Sequence, residues 1–275
     1  MFTRLSRSFD LIKYSATVLS AQRQLLLFPL IAGAATIAIV LSFFVPLLYS
    51  GAFEGTRGQA APMTYSFTFV AYVISYFITF YFNTALVACV MLHFDGHTPT
   101  LNDGFRAANA RFGAILGYAV IAATIGMLLR AIQERVPFVG RLIIALIGAG
   151  WSIASFLVVP VLVAKNAGPI EAVRESAALM KRTWGENVVG QAGMGLGFGI
   201  IQAAVMLSGI ALTVLCAAAG LTALVIPVVI LTVIAVLGVM LFHTALSGIY
   251  AASLYRFAQG GDLDDEVLRS AFLPK

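Results

Sequence analysis

The chain has 275 residues, of which 60% are hydrophobic and only 11% charged, and its net charge is +5. Water-soluble domains carry about 25% charged residues, so this composition excludes a chain that covers itself with a hydrated surface. The positive balance would suggest nucleic acid in a soluble protein; here the placement of Lys and Arg along the chain accounts for it, and no nucleic-acid partner is expected.

Residues 1–20 come first. Phe2, Leu5, Phe9, Ile12 and Leu19 share one helical face, with Arg4, Arg7 and Lys13 off it. The stretch has no continuous apolar core and no small-residue cleavage site, so it does not read as a cleavable signal. Apolar runs follow at 25–49, 64–92, 112–132, 141–164, 188–215 and 221–255. Each is near or above the roughly 20 residues that a helix needs to cross about 30 Å of hydrocarbon. They are predicted as helices because unpaired backbone groups are intolerable in lipid, and no ten-residue alternation marks a barrel. Between the second and third runs, Leu101, Phe105, Ala108 and Phe112 line up, and Thr100 with Asp103 has the form of a capping box. Between the fourth and fifth, Ile170, Val173, Ala177, Met180 and Trp184 line up behind a Gly168-Pro169 start. The tail 260–275 carries acids that could dock on the basic segments. The expected fold is an all-α integral membrane protein: one membrane domain with six transmembrane helices and three cytoplasmic interfacial amphipathic helices, their apolar faces in lipid.

With the amino terminus inside, 13 Lys and Arg fall on the cytoplasmic side and 4 outside. The positive-inside rule then places both termini in the cytoplasm and the protein in the cytoplasmic membrane. The order of interfacial segment and hairpin recurs three times, and Phe82-Asn83-Thr84-Ala85-Leu86 is echoed by Phe242-His243-Thr244-Ala245-Leu246. Three parallel repeats would explain this; so would the general likeness of hairpins.

Candidate functional residues compete with structural explanations. Tyr72, Tyr76, Thr79 and Asn83 share a face of the second span with other aromatics. They could line a polar path, or supply interhelical hydrogen bonds. His243 lies well inside the sixth span, where an ionisable group suggests ligand or proton traffic, or a hydrogen bond to a neighbour such as Asn83. Arg4, Arg7, Lys13, Arg106, Arg111, Arg174, Lys181 and Arg182 are candidate contacts for anionic headgroups. His93, Asp95 and His97 form an H-x-D-x-H cluster, a metal candidate for which the Asp95-Gly96 turn is the competing explanation. Gly193, Gly195, Gly197 and Gly199, spaced for close helix approach, are expected to pack within the bundle. Cys89 and Cys216 fall inside spans, so no disulfide framework is implied.

No Walker loop, H-E-x-x-H or nucleophile elbow occurs, and the spans contain no Asp or Glu. No enzymatic activity and no cofactor are expected. Several stretches, in order, are similar to an uncharacterised family of bacterial and archaeal six-span proteins, classed as a domain of unknown function. They include Leu25-Leu26-Leu27-Phe28-Pro29, Phe82-Asn83-Thr84-Ala85-Leu86, Asp95-Gly96, Pro99-Thr100-Leu101, Thr183-Trp184-Gly185 and Ala245-Leu246-Ser247-Gly248-Ile249. Phe9 departs from it, since similar proteins tend to carry Trp there. The resemblance implies an integral membrane protein and brings no catalytic residues. The functional expectation is a non-enzymatic scaffold, assembly factor or lipid organiser whose partners are the bilayer and anionic lipids. The alternative is a small-solute or lipid transporter with a central polar site between the second and sixth spans.

Overall fold

A computed structural model describes residues 15, 17–20, 22–49, 61–182 and 184–259. Arg4, Arg7, Lys13, most of the first amphipathic segment and the tail 260–275 lie outside the described residues. A short 3-10 turn, Arg23–Leu26, leads into α1, Leu27–Tyr49. Then come α2 (Ala61–Phe94), α3 (Leu101–Ala110), α4 (Phe112–Gln133), α5 (Phe138–Ser155), α6 (Val158–Ala164), α7 (Pro169–Arg182), α8 (Trp184–Ala218) and α9 (Thr222–Ala258). No strand occurs among the described residues, and six helical stretches are long and apolar enough to cross a membrane. They match the six predicted runs to within a few residues. This is an all-α, multi-pass membrane architecture.

The fourth span departs from expectation. The sequence reads as one helix over 141–164, but it is two, α5 and α6, with a turn at Phe156-Leu157. Pro160 has no N–H to offer the carbonyl of Phe156, so the helix stops and restarts with Pro160 in the first turn of α6, where an N–H would be unpaired anyway. The break exposes backbone groups inside the protein, and one side chain meets two of them. Ser176 of α7, itself fully buried, accepts from the Leu157 N–H at 3.0 Å and donates to the Ala154 carbonyl at 2.6 Å.

The two short helices, α3 and α7, sit at the end of the bundle where α2 finishes, α4 begins and α9 finishes. This end is called the collar below. The start of α3 is the predicted capping box: the Asp103 N–H donates to Thr100 Oγ1, and the Thr100 N–H donates to the Asp103 carboxylate at 3.0 Å. The Thr100 hydroxyl, which donates to the carboxylate at 2.7 Å, and after it the Thr100 N–H hold the Asp103 carboxyl below its usual range. Gly96 supplies the left-handed residue of the turn before it, with φ of 79°.

The expectation that these helices lay their apolar faces in lipid is corrected. The inward face of α3, Gly104 and Ala108, is buried in the protein core. In α7 the buried face is Ala172, Ser176, Leu179 and Met180, while Ile170 points outward at 67% exposed. The face is thus rotated about one residue from the predicted line, because α7 must bring Ser176 to the break in the fourth span.

Close helix approach is made at glycines other than the predicted run. Among the described residues, and apart from the helix's own backbone, no atom lies within 4 Å of a Cβ built on Gly193, Gly195, Gly197 or Gly199. Within α8 it is Gly209 that packs against α9, at Thr232. At the collar, a Cβ on Gly104 would stand 2.8 Å from the Ala85 carbonyl oxygen, and one on Gly248 would stand 2.7 Å from Leu86.

Candidate functional site

Residues 72, 76, 79 and 83 repeat at the helical interval of three to four, so α2 presents Tyr72, Tyr76, Thr79 and Asn83 along one stripe. That stripe forms a wall of two adjoining cavities. One, of about 510 Å³, lies between α1 and α2 and is lined by Tyr72, Tyr76, Thr79 and, from α1, Thr36 and Phe43. The other, of about 470 Å³, lies between α1, α2 and α9 and is lined by Thr79, Asn83, Gly33, Thr36, Met240 and Thr244. Thr36 and Thr79 line both, so the two cavities adjoin there along α2, and together they are called the groove below.

The aromatic part of the wall is ordered by ring contacts. Tyr72 and Tyr76 lie 6.3 Å apart, and Tyr76 stacks on Phe80 at 5.7 Å. At its far end the Tyr72 hydroxyl accepts from Arg130 Nη1 at 2.9 Å, and Arg130 also pairs with Glu134 at 3.1 Å. The Thr79 and Thr244 hydroxyls donate to carbonyls of their own helices, at Ser75 and Met240. Asn83 is different. Its carboxamide oxygen stands 3.0 Å from where a Gly248 Cβ would be, and among the described residues it makes no hydrogen bond. The Thr36 hydroxyl makes none either.

His243 does not join this stripe. Its ring lies against Phe198 of α8, with centroids 4.9 Å apart. Asn83 and His243 occupy echoing sequence positions but face different helices, Asn83 toward Gly248 of α9 and His243 toward α8. The echo holds locally: Ala85 and Ala245 are both buried, and Thr84 and Thr244 both bond back one turn.

Between α2, α6 and α9 at the collar the space is filled. Leu86, Leu157, Ile249 and Leu254 are at most 1% exposed, and Phe156 meets the buried Tyr250 ring at 6.2 Å.

The basic residues of the collar divide into two sets. Arg256 pairs with Asp95 at 2.8 Å and lies over the Phe94 ring. Lys165 pairs with Glu175, whose hydrogen bond raises the lysine above its ordinary value, and Arg111 donates to Asn166. These bonds fasten the loops. Arg106, Arg174 and Lys181 are exposed and make no ion pair among the described residues. For Arg182 the helical backbone alone is described. His93, Asp95 and His97 do not assemble as metal ligands: no group of three His, Cys, Asp or Glu able to hold an ion occurs among the described residues, and Asp95 is engaged by Arg256.

Sequence reasoning did not single out Thr36 or Gly33, which line the groove, or Gly248, beside which the Asn83 oxygen lies. Thr36 could have been noticed as a hydroxyl near the middle of the first span; Gly33 and Gly248 carry no chemistry of their own. A family described as of unknown function, DUF6159, matches the chain over residues 60–264. No curated protein matches the chain, and no solved structure does.

Proposed function

We infer a function for a chain that belongs to DUF6159, a family of unknown function: a non-enzymatic membrane scaffold that organises anionic lipid at its collar. The observation that carries this reading is the contrast within α3 and α7. Their inner faces are locked into the protein by Gly104, Ala108, Ser176 and Leu179, while Arg106, Arg174 and Lys181 stand outward without ion partners among the described residues. Cations on a rigid support lose little freedom when they meet a phosphate, and each basic side chain near an anionic surface contributes about 1 kcal/mol. The 13-to-4 distribution of Lys and Arg supports a cytoplasmic collar in the cytoplasmic membrane, with both termini on that side. The separation of His243 from Asn83 supports a scaffold over a transporter whose central polar site would join those two residues.

The test is lipid retention in nanodiscs made from equal phosphatidylcholine and phosphatidylglycerol. The wild-type chain is expected to retain the anionic lipid in excess. Arg106→Gln, Arg174→Gln and Lys181→Gln together should reduce that excess, by up to about fivefold per side chain. Equal retention of both lipids by the wild type, or an unchanged excess in the triple variant, would sink the reading.

A further inference from the structure

We propose that the groove between α1, α2 and α9 binds one neutral single-chain lipid. A long acyl or isoprenoid chain lies along the aromatic wall of α2, and a carbonyl or hydroxyl oxygen at its head accepts from the Asn83 amide. The groove lies inside the bilayer and the basic residues lie at its surface, so this site stands or falls independently of the lipid-organising collar.

Size and shape come first. Cavities of about 470 and 510 Å³ that meet at Thr36 and Thr79 each fall in the range of ligand sites, about 300–1,000 Å³. Along α2 the lining runs from Phe67 to Leu86. At 1.5 Å per residue that is about 28 Å, close to the thickness of a hydrocarbon core. A groove of this length suits an extended chain better than a compact solute. Its walls are mostly apolar side chains, which also asks for a chain.

The head is defined by what the groove leaves unmet. The hydroxyls of Thr79 and Thr244 are satisfied within their own helices. The Asn83 carboxamide and the Thr36 hydroxyl are not, among the described residues, and both line the same cavity. An amide without a partner in hydrocarbon costs several kcal/mol. Gly248 lies against the Asn83 oxygen, which leaves the –NH2 donors for an occupant that offers an acceptor. Among the described residues, no charged side chain lines either cavity. A phosphate or an ionised carboxylate beside Asn83 would therefore be a buried, unpaired charge, and the head must be neutral. The outward face of α8, with Leu196, Ile200 and Leu207 about 70% exposed, is the comparison surface: among the described residues, exposed apolar side chains without a cavity lined by an unmet amide. Quinones with isoprenoid tails and acylglycerols share the required chemistry.

The experiment uses the full chain in phosphatidylcholine nanodiscs and a hexadecanol carrying a diazirine near mid-chain. After photolysis, labelled peptides are located by mass spectrometry. Label is expected to concentrate on residues 29–37 and 67–86 over the peptides of α8. Asn83→Leu should weaken labelling about three- to tenfold, the loss of one hydrogen bond. Thr36→Phe, which fills the junction of the two cavities from the half-buried face of α1, should abolish it; Leu207→Phe on the lipid face should not. If Asn83→Leu fails to fold, Thr36→Phe carries the comparison. Excess decyl-benzoquinone and excess monoacylglycerol are then added separately. Displacement by either supports the site and identifies the head it prefers. Label spread over α8 and α9 in proportion to exposure, labelling undiminished in Thr36→Phe, or displacement by neither competitor would overturn the proposal.

Discussion

Ala85 to Val90 of α2 and Ala251 to Tyr255 of α9 are at most 6% exposed, whereas Leu128, Leu146 and Leu224, toward the other end of the bundle, are 57%, 65% and 48% exposed. All but Ser253 are hydrophobic residues, and all lie on membrane-crossing helices. The most apolar window of α2 has 39% of its residues buried and that of α9 has 0%. In water such a difference would be ruinous, because exposed leucine is driven inward. In lipid it costs little, since acyl chains are as apolar as leucine and give helices no reason to cluster. Tight packing is then needed where the backbone leaves the helix and its polar groups must be met by protein. The collar is such a place. It holds the break at Phe156-Leu157, the turn at Asp95-Gly96 and the capped start of α3.

The sharpest attempt to break this comparison is Ser176→Ala. It leaves the buried Leu157 N–H and the part-buried Ala154 carbonyl without their partner, at about 1–3 kcal/mol for a fully buried group and less for a partly buried one. Thermal or detergent unfolding should show a loss of about 2–4 kcal/mol. Ser208→Ala in α8, where the hydroxyl only bonds back to Val205, should stay within about 0.5 kcal/mol. Equal effects at the two serines would mean that the collar is not where stability resides.

A smaller contrast lies between two glycines. In Gly104→Ala the new methyl would meet the Ala85 carbonyl oxygen and Phe28, neither of which can withdraw freely. A cost of about 1–3 kcal/mol is expected. In Gly197→Ala the methyl enters open space. The better helix propensity of Ala then leaves stability unchanged or raises it by up to about 1 kcal/mol. A large loss at Gly197 would show that α8 does pack through its glycine run, against another chain.

The smallest expected effect is on pH dependence. The carboxyl of Asp103 is held below its ordinary value in the folded chain, chiefly by the Thr100 hydroxyl. A depressed acid contributes its stabilisation fully above the unfolded value of about 3.9 and loses it as pH falls through the folded value. Protection of the α3 amides, taken relative to their intrinsic exchange rates, should therefore fall below about pH 4 while that of α8 does not. Asp103→Asn should remove that step, because it has no proton to take up.

Much of this arrangement is written locally in the chain. A bilayer asks each span for about 20 apolar residues, and that count needs no knowledge of neighbours; the spans beginning near Arg23, Ser66, Phe112, Phe138, Gly193 and Thr222 were therefore readable. So was the capping box at Thr100, because its partners are three residues apart. The tertiary structure alone decided which apolar face meets protein and which meets lipid, since hydropathy is the same for both. It turned α7 to bring Ser176 to a backbone break 19 residues away. It sent His243 to Phe198 and Asn83 to Gly248, although their sequence settings match. It also made Gly104, Gly209 and Gly248 contact points while leaving the more conspicuous glycines of α8 open. Spacing along one helix is a property of the chain; which neighbour a side chain meets depends on where the other helices come to rest.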